Sequence, residues 1–235
     1  MAEKGLEAKV AAMEKEITRL NDLEAIRRLE NIYSYYLVMW MPEELIDLFA
    51  WRDDTTLEWP EGTFFGKDGL NRFFGKINPN KNPEFMHQMM QISDIIDISE
   101  DGLTGRGRWW GYGAMAIPVS GAIMQSYSCG IYENEFIKEN GVWKFWKIKW
   151  VPVYSATPAK GWVKDERVLK PKVPAQPREP GEVSVPSWWK SDLPAKGIAY
   201  AYPSGYILPF HYEHPVTGKA TNEEKRNERV KGVKK

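Results

Sequence analysis

Leu6, Val10, Met13, Ile17 and Leu20 recur at alternating spacings of four and three residues in a stretch otherwise rich in Lys and Glu. That spacing predicts a helix with a narrow heptad seam. Two heptads are too short to hold a coiled coil alone, so the seam is expected to lean on a neighbouring subunit or on its own domain. Asn21 or Asp22 is suited to cap a second helix, on which Ile26, Leu29, Tyr33, Leu37 and Trp40 form one stripe. Pro42 fits the first position of a short third helix, PEELIDLFA. TTLEW reads as a strand and GKDGLNRFFGKI as a further short helix.

From Met86 the period changes to two. MHQMMQISDIIDIS, LTGRGRWWGYGAMAI, AIMQSYSCGIYENEFIK and VWKFWKIKWVPVY are long strand-like runs, and EDG (100–102) and ENG (139–141) fit hairpin turns. Helices first and an antiparallel sheet after them predict an α+β fold whose helices cover one sheet face. Alternation puts Gly105, Gly107, Trp109, Gly111 and Gly113 on one face and Arg106, Arg108, Trp110 and Tyr112 on the other. The next strand repeats the small-residue theme with Ser126, Ser128, Gly130 and Tyr132. Such a floor leaves volume above it for packed helices, a cavity, or both at different ends. In the last strand, alternation groups Trp143, Phe145, Lys147 and Lys149. If the two rings pack on the helices, both ammoniums point inward, where desolvation favours an acid–base role.

After Tyr154 the periodicity ends. Pro171, Pro174, Pro177, Pro180 and Pro186 punctuate an extended arm. Its words SWWK (187–190) and YAYPSGYILPFHY (200–212) imply docking, and the charged stretch 219–235 reads as disordered. The expected organisation is therefore an N-terminal amphipathic helix (1–20), one α+β domain (21–154), and an arm with a charged tail (155–235).

Charge narrows the function. Lys+Arg and Asp+Glu both number 32, so no basic field invites nucleic acid or an anionic membrane. No apolar run is long enough to span a bilayer. Cys129 is alone, and the chain opens without a signal-peptide pattern, so a cytoplasmic location is expected. The aromatic load of 11 Trp, 11 Tyr and 9 Phe suits both a ring-rich core and a pocket for flat ligands. GRGRWWGYG lacks the strand–turn–helix context of a dinucleotide loop. HYEH (211–214) has a metal-like spacing with no third cluster, so no metal is expected, and the motif is expected to close the pocket mouth.

AIRRLENIY, PEELIDLF, GKDGLNRFF, MHQMMQ, EDGLTGRGR and GIYENEFIKENGVWKFWKIK resemble, in order and wording, the SnoaL-like branch of the nuclear-transport-factor-two superfamily. The resemblance covers about residues 22–152. It implies a cone: a curved antiparallel sheet wrapped around the helices, with a pocket at its open end and an outer face used for dimerisation. It places His87 and Tyr33 at positions that often face that pocket. Val38 stands where the family often has Asp, which weighs against an Asp-dependent hydratase or isomerase mechanism.

An imidazole titrates near neutrality, so His87 is the leading acid–base candidate, with Tyr33 or Lys149 as its partner. Met89, Gln91, Trp109, Tyr132, Trp59 and Tyr36 are the candidate substrate-binding residues. The resulting expectation is a cofactor-independent lyase acting by elimination on a small, two-ring phenolic compound, such as γ-formaldehyde loss from a lignin-derived diaryl propanediol. A dehydratase, cyclase or isomerase of a polyketide-like or steroid-like substrate is the alternative, as is a non-catalytic carrier. A homo-oligomer, dimer or trimer with possible arm exchange, is expected.

Overall fold

One helix runs where two are expected. In the computed structural model, α1 (Ala2–Met39) continues through Asn21 and Asp22 without a break. Capping loses there to tertiary partners. The buried Asp22 carboxylate accepts hydrogen bonds from Trp143 Nε1 (2.8 Å) and Lys138 Nζ (2.7 Å), which pins the helix to the sheet. The structure describes residues 2–60, 62–75, 84–119, 122–164, 190–194, 206–221 and 223–228.

The helix ends at Trp40, whose φ of 49° is left-handed and rare for a bulky side chain. The Met41 N–H returns to the Tyr36 carbonyl at 3.0 Å, closing the last turn. Then follow α2 (Pro42–Asp47), with proline in its first turn, the hairpin β1 (Thr56–Trp59) and β2 (Gly62–Phe65), and α3 (Gly66–Phe74). Four long strands come next: β3 (Met86–Ile98), β4 (Thr104–Val119), β5 (Ala122–Glu139) and β6 (Val142–Ala156). A short helix α4 (Gly161–Lys164), β7 (Leu193–Pro194) and α5 (Glu223–Asn227) complete the described elements. Sheet order is β3-β4-β5-β6-β1-β2-β7, antiparallel except for the β1–β6 pair. The fold is α+β, a curved and unclosed sheet with α1 against its inner face. No helix among the described residues is long and apolar enough to cross a membrane.

A β-bulge decides which residues face inward. Phe136 pairs with Phe145 but Glu135 pairs with Lys147, so Trp146 is an extra residue and the side-chain parity inverts beyond it. Trp143, Phe145, Ile148 and Trp150 are buried. Lys147 and Lys149 turn to the outer face, where they meet Glu135 (3.0 Å) and Glu58 (3.1 Å). Their inward placement, read from simple alternation, is corrected by this one inserted residue.

The arm also differs from expectation. Asp192 accepts from the Phe65 amide (2.8 Å) and meets Arg72 (2.5 Å), fastening β7 along the β2 edge. Residues 206–212 cross the outer face of the sheet, where His211 lines a recess. There the Arg108 guanidinium donates to Glu133 and to the carbonyls of Leu208 and Pro209, and lies 4.7 Å from the Phe210 ring centroid. His211 bonds to Glu133 through Nδ1, whereas His214 Nδ1 accepts from the Val216 amide in its own turn. Part of the charged tail is ordered: α5 presents Glu223 to the Phe210 amide (2.8 Å), and Asn227 brackets Ile207. Residues 187–189 and 200–205 of the two aromatic words lie outside the described residues.

Candidate functional site

Between α1 and the sheet, the inward stripe of the helix is Ile26, Glu30, Tyr33, Leu37 and Trp40, all buried. Glu30 is fully enclosed. Its Oε2 accepts from Asn134 Nδ2 at 3.0 Å, while Oε1 has no hydrogen-bond partner among the described residues. The hydroxyls of Tyr33 and Tyr132, both Gln91 amide atoms, Asn134 Oδ1 and Ser126 Oγ are likewise buried without one. The Gln91 side chain lies beside the Tyr132 hydroxyl and works against the desolvation that raises that phenol. Each such orphan costs about 1–3 kcal/mol, so native proteins keep few of them, and this one interior gathers several.

Burial sets the protonation here. Desolvation pushes Glu30 up to about 8, with the Asn134 hydrogen bond opposing it, so the carboxyl is neutral at pH 7. Desolvation also raises both phenols, Tyr33 and Tyr132, and the Glu30 charge adds to the effect. The Tyr33 and Tyr132 rings meet edge to face with centroids 6.3 Å apart. At pH 7 the cluster is a set of neutral donors.

His87 lies at the other end of the same interior. It is 7% exposed, with its ring 5.3 Å from Trp40 and stacked on Phe85 at 6.5 Å. The left-handed turn at Trp40 sends that indole across to the imidazole, and its Nε1 donates to the Phe74 carbonyl at 3.0 Å. Tyr33 and Trp40 are seven positions apart, roughly 10 Å along the helix, so His87 and Tyr33 do not share one point.

The other candidates distribute around this axis. Gln91 and Tyr132 join the Glu30 cluster. Met89 is buried between the two ends, on the face of β3 shared by His87 and Gln91. Trp59 is half-buried, stacked on Trp150 at 5.6 Å and 6.1 Å from Tyr132, and Tyr36 packs half-buried against the core. Trp109 is buried against Phe136. Lys149 is outside altogether, on the far face of the sheet. The glycine floor carries indoles: a Cβ at Gly111 or Gly130 would stand 2.4 Å from the Trp150 ring, and one at Gly107 would stand 2.2 Å from Trp109.

Glu30 and Asn134 are the residues that a reading of the sequence passes over. Glu30 sits four residues after Ile26 and three before Tyr33, inside the apolar stripe, and Asn134 alternates with Tyr132 and Phe136. A charged residue in phase with a core stripe is the signal that could have found the first. A recess of about 330 Å³ on the outer face is lined by Glu58, Arg106, Glu133, Lys147, Lys149 and His211 among others. Both lysines there are already paired with carboxylates, so the interior is the better candidate. No group of three His, Cys, Asp or Glu residues among the described residues could hold a metal ion.

The family model described as a SnoaL-like domain matches residues 18–149. Among solved structures, a putative scytalone dehydratase from Novosphingobium aromaticivorans DSM 12444 is 22% identical, with a TM-score of 0.51, covering 60% of this chain and 90% of that one. The structure of LinA is 17% identical, with a TM-score of 0.51, covering 62% of this chain and 95% of that one. At these identities the likeness shows the fold alone. No curated protein matches the chain.

Proposed function

The chain belongs to the SnoaL-like family, and within it we propose that it is a lyase that uses side chains alone to eliminate water and formaldehyde from a two-ring phenolic diol of the diaryl propanediol class. The observation that carries this reading is the enclosed cluster of Glu30, Tyr33, Gln91, Tyr132 and Asn134, whose unmatched polar atoms await hydroxyl partners. A neutral carboxyl raised to about 8 is a proton donor at pH 7 and, once spent, a competent base.

The separation of His87 from this cluster selects the chemistry. His87 packs on Trp40, ten positions or roughly 15 Å along the helix from Glu30, so the two groups cannot bracket one H–C–C–O unit. They suit a substrate whose phenol lies at one end and whose benzylic oxygen lies near the other. In the first step His87 takes the phenolic proton, electrons flow through the ring, and the benzylic C–O bond breaks. Glu30 supplies the proton that makes the leaving oxygen water, and a quinone methide remains. In the second step the Glu30 carboxylate takes the proton of the terminal hydroxyl. The bond to that carbon then breaks, formaldehyde leaves, and its electron pair forms the alkene and restores the aromatic ring. His87 returns its proton to the phenolate, and both residues end as they began. The Tyr33 and Tyr132 hydroxyls and the Gln91 amide hold the two aliphatic oxygens, and Trp59 supplies a ring face.

The test is stilbene formation from diaryl propanediols, followed by absorbance with formaldehyde assayed in parallel. His87→Gln and Glu30→Gln should each lower kcat by about 100-fold or more. A substrate methylated at the phenol should bind and remain unconverted. Equal turnover of the methylated compound would sink the role of His87, and tight binding with no turnover of any diol would make the protein a carrier.

A further inference from the structure

Leu6, Val10, Met13, Ile17 and Leu20 are between 46% and 64% exposed, the longest run of uncovered apolar residues on α1. We propose that this seam binds the same seam of a second copy of the chain, as a parallel two-stranded coiled coil. The inference is independent of the catalytic reading.

Among the described residues nothing covers the seam, and the domain to which its helix belongs packs on the other side of α1. At roughly 100° per residue, its direction lies about 160° around α1 from the stripe Ile26–Glu30–Tyr33–Leu37–Trp40 that packs on the sheet. The helix is continuous between the two stretches, so no hinge can fold one back onto the other. A partner therefore approaches from the side opposite the sheet, where the two bodies do not collide.

The residue types select the partner and the orientation. The spacing puts Val10 and Ile17 at a positions and Leu6, Met13 and Leu20 at d. A β-branched residue at a with Leu at d favours two parallel strands over three or four. Charge agrees. In a parallel pair Lys9, at g, faces Glu14 of the other copy, at e, on both sides, and Glu16 faces the neutral Asn21. In an antiparallel pair Glu7 or Glu14 would face a glutamate in either seam alignment. The seam stops at Glu24 and Arg27, which pair with each other at 2.9 Å where the helix enters the domain.

The full-length chain of 27.1 kDa is measured by light scattering after gel filtration, as wild type and as Met13→Lys/Ile17→Lys. Both positions are exposed, so the domain should keep its circular dichroism and melting temperature. Two heptads hold weakly, so the wild-type mass should climb with concentration towards twice that of the variant, whose mass should stay constant. Leu20→Cys in a Cys129→Ser background should form a disulfide-linked dimer under mild oxidation, because only the parallel pair brings residue 20 to its own copy. A wild type that is monomeric at every concentration or climbs to a trimer, a lysine variant whose mass climbs alike, or failure of Cys at position 20 to cross-link would each overturn the proposal.

Discussion

Glu30→Gln should make the protein more stable as the pH rises, and the size of the effect follows from the enclosure of this one carboxyl. In the unfolded chain Glu30 titrates near 4.5, and in the folded chain near 8. Below pH 4.5 it is protonated in both states and costs nothing. Between the two values the unfolded chain releases the proton and the native chain keeps it, so native stability falls with pH at about 1.4 kcal/mol per unit. The loss is about 3 kcal/mol at pH 7 and levels off at about 5 kcal/mol above pH 8. That is a large share of the roughly 5–15 kcal/mol by which domains are usually stable.

Glutamine keeps the shape, and its carbonyl can accept the same Asn134 hydrogen bond, but it has nothing to ionise. Guanidinium unfolding of wild type and variant at pH 5, 7 and 9 reads the difference directly. Taking the pH 5 difference as baseline, the variant should gain about 2–3 kcal/mol by pH 7 and about 4–5 kcal/mol by pH 9. Other groups titrate alike in both proteins and cancel. A stability difference that stays constant across the three pH values would refute the argument, because it would mean that Glu30 ionises in the folded state as easily as in the unfolded. Combined with lost turnover, the expected result is a more stable and less active protein, the trade-off characteristic of a functional group held against its solvation.

The remaining predictions test the placement of other groups. Lys149→Met should change turnover less than twofold, since the bulge sends this ammonium to Glu58 on the outer face; a loss of 100-fold would return it to the chemistry. Gly111→Ala places a Cβ 2.4 Å from the Trp150 ring and should cost about 1–3 kcal/mol, read as a lowered melting temperature. Arg108→Met removes the donor that holds 206–212 on the outer face, so limited proteolysis should cut this segment faster while the domain survives; an unchanged cleavage rate would show that other contacts hold it.

What could be read from the sequence divides along a physical line. Local patterns were legible: the strand runs, both hairpin turns, the proline that opens α2, and the inward glycines of β4. Each depends on neighbours a few residues away. The break expected at Asp22 failed because a capping residue has a second use. Its partners, Lys138 and Trp143, are more than a hundred positions distant, and nothing near Asp22 announces them. The course of the arm was illegible for the same reason, since the carbonyls that Arg108 meets belong to Leu208 and Pro209, a hundred positions away.

The candidate site failed and succeeded by the same rule. Alternation is reliable only while the register holds, and a bulge of one residue inverts every side chain after it. His87 and Gln91 precede the irregularity in β3 between Ile92 and Ile95, and alternation places both on the inner face. Lys147 and Lys149 follow the irregularity in β6, and alternation places both on the wrong side. The helix carries no such ambiguity, because a 3.6-residue period cannot slip without breaking hydrogen bonds. Glu30 was therefore the safest inward placement in the chain, four residues from Ile26 and three from Tyr33. Only its charge argued against a buried position. In a stripe whose phase is certain, a carboxylate that contradicts its surroundings is better read as an acid kept neutral than as an exception to the stripe.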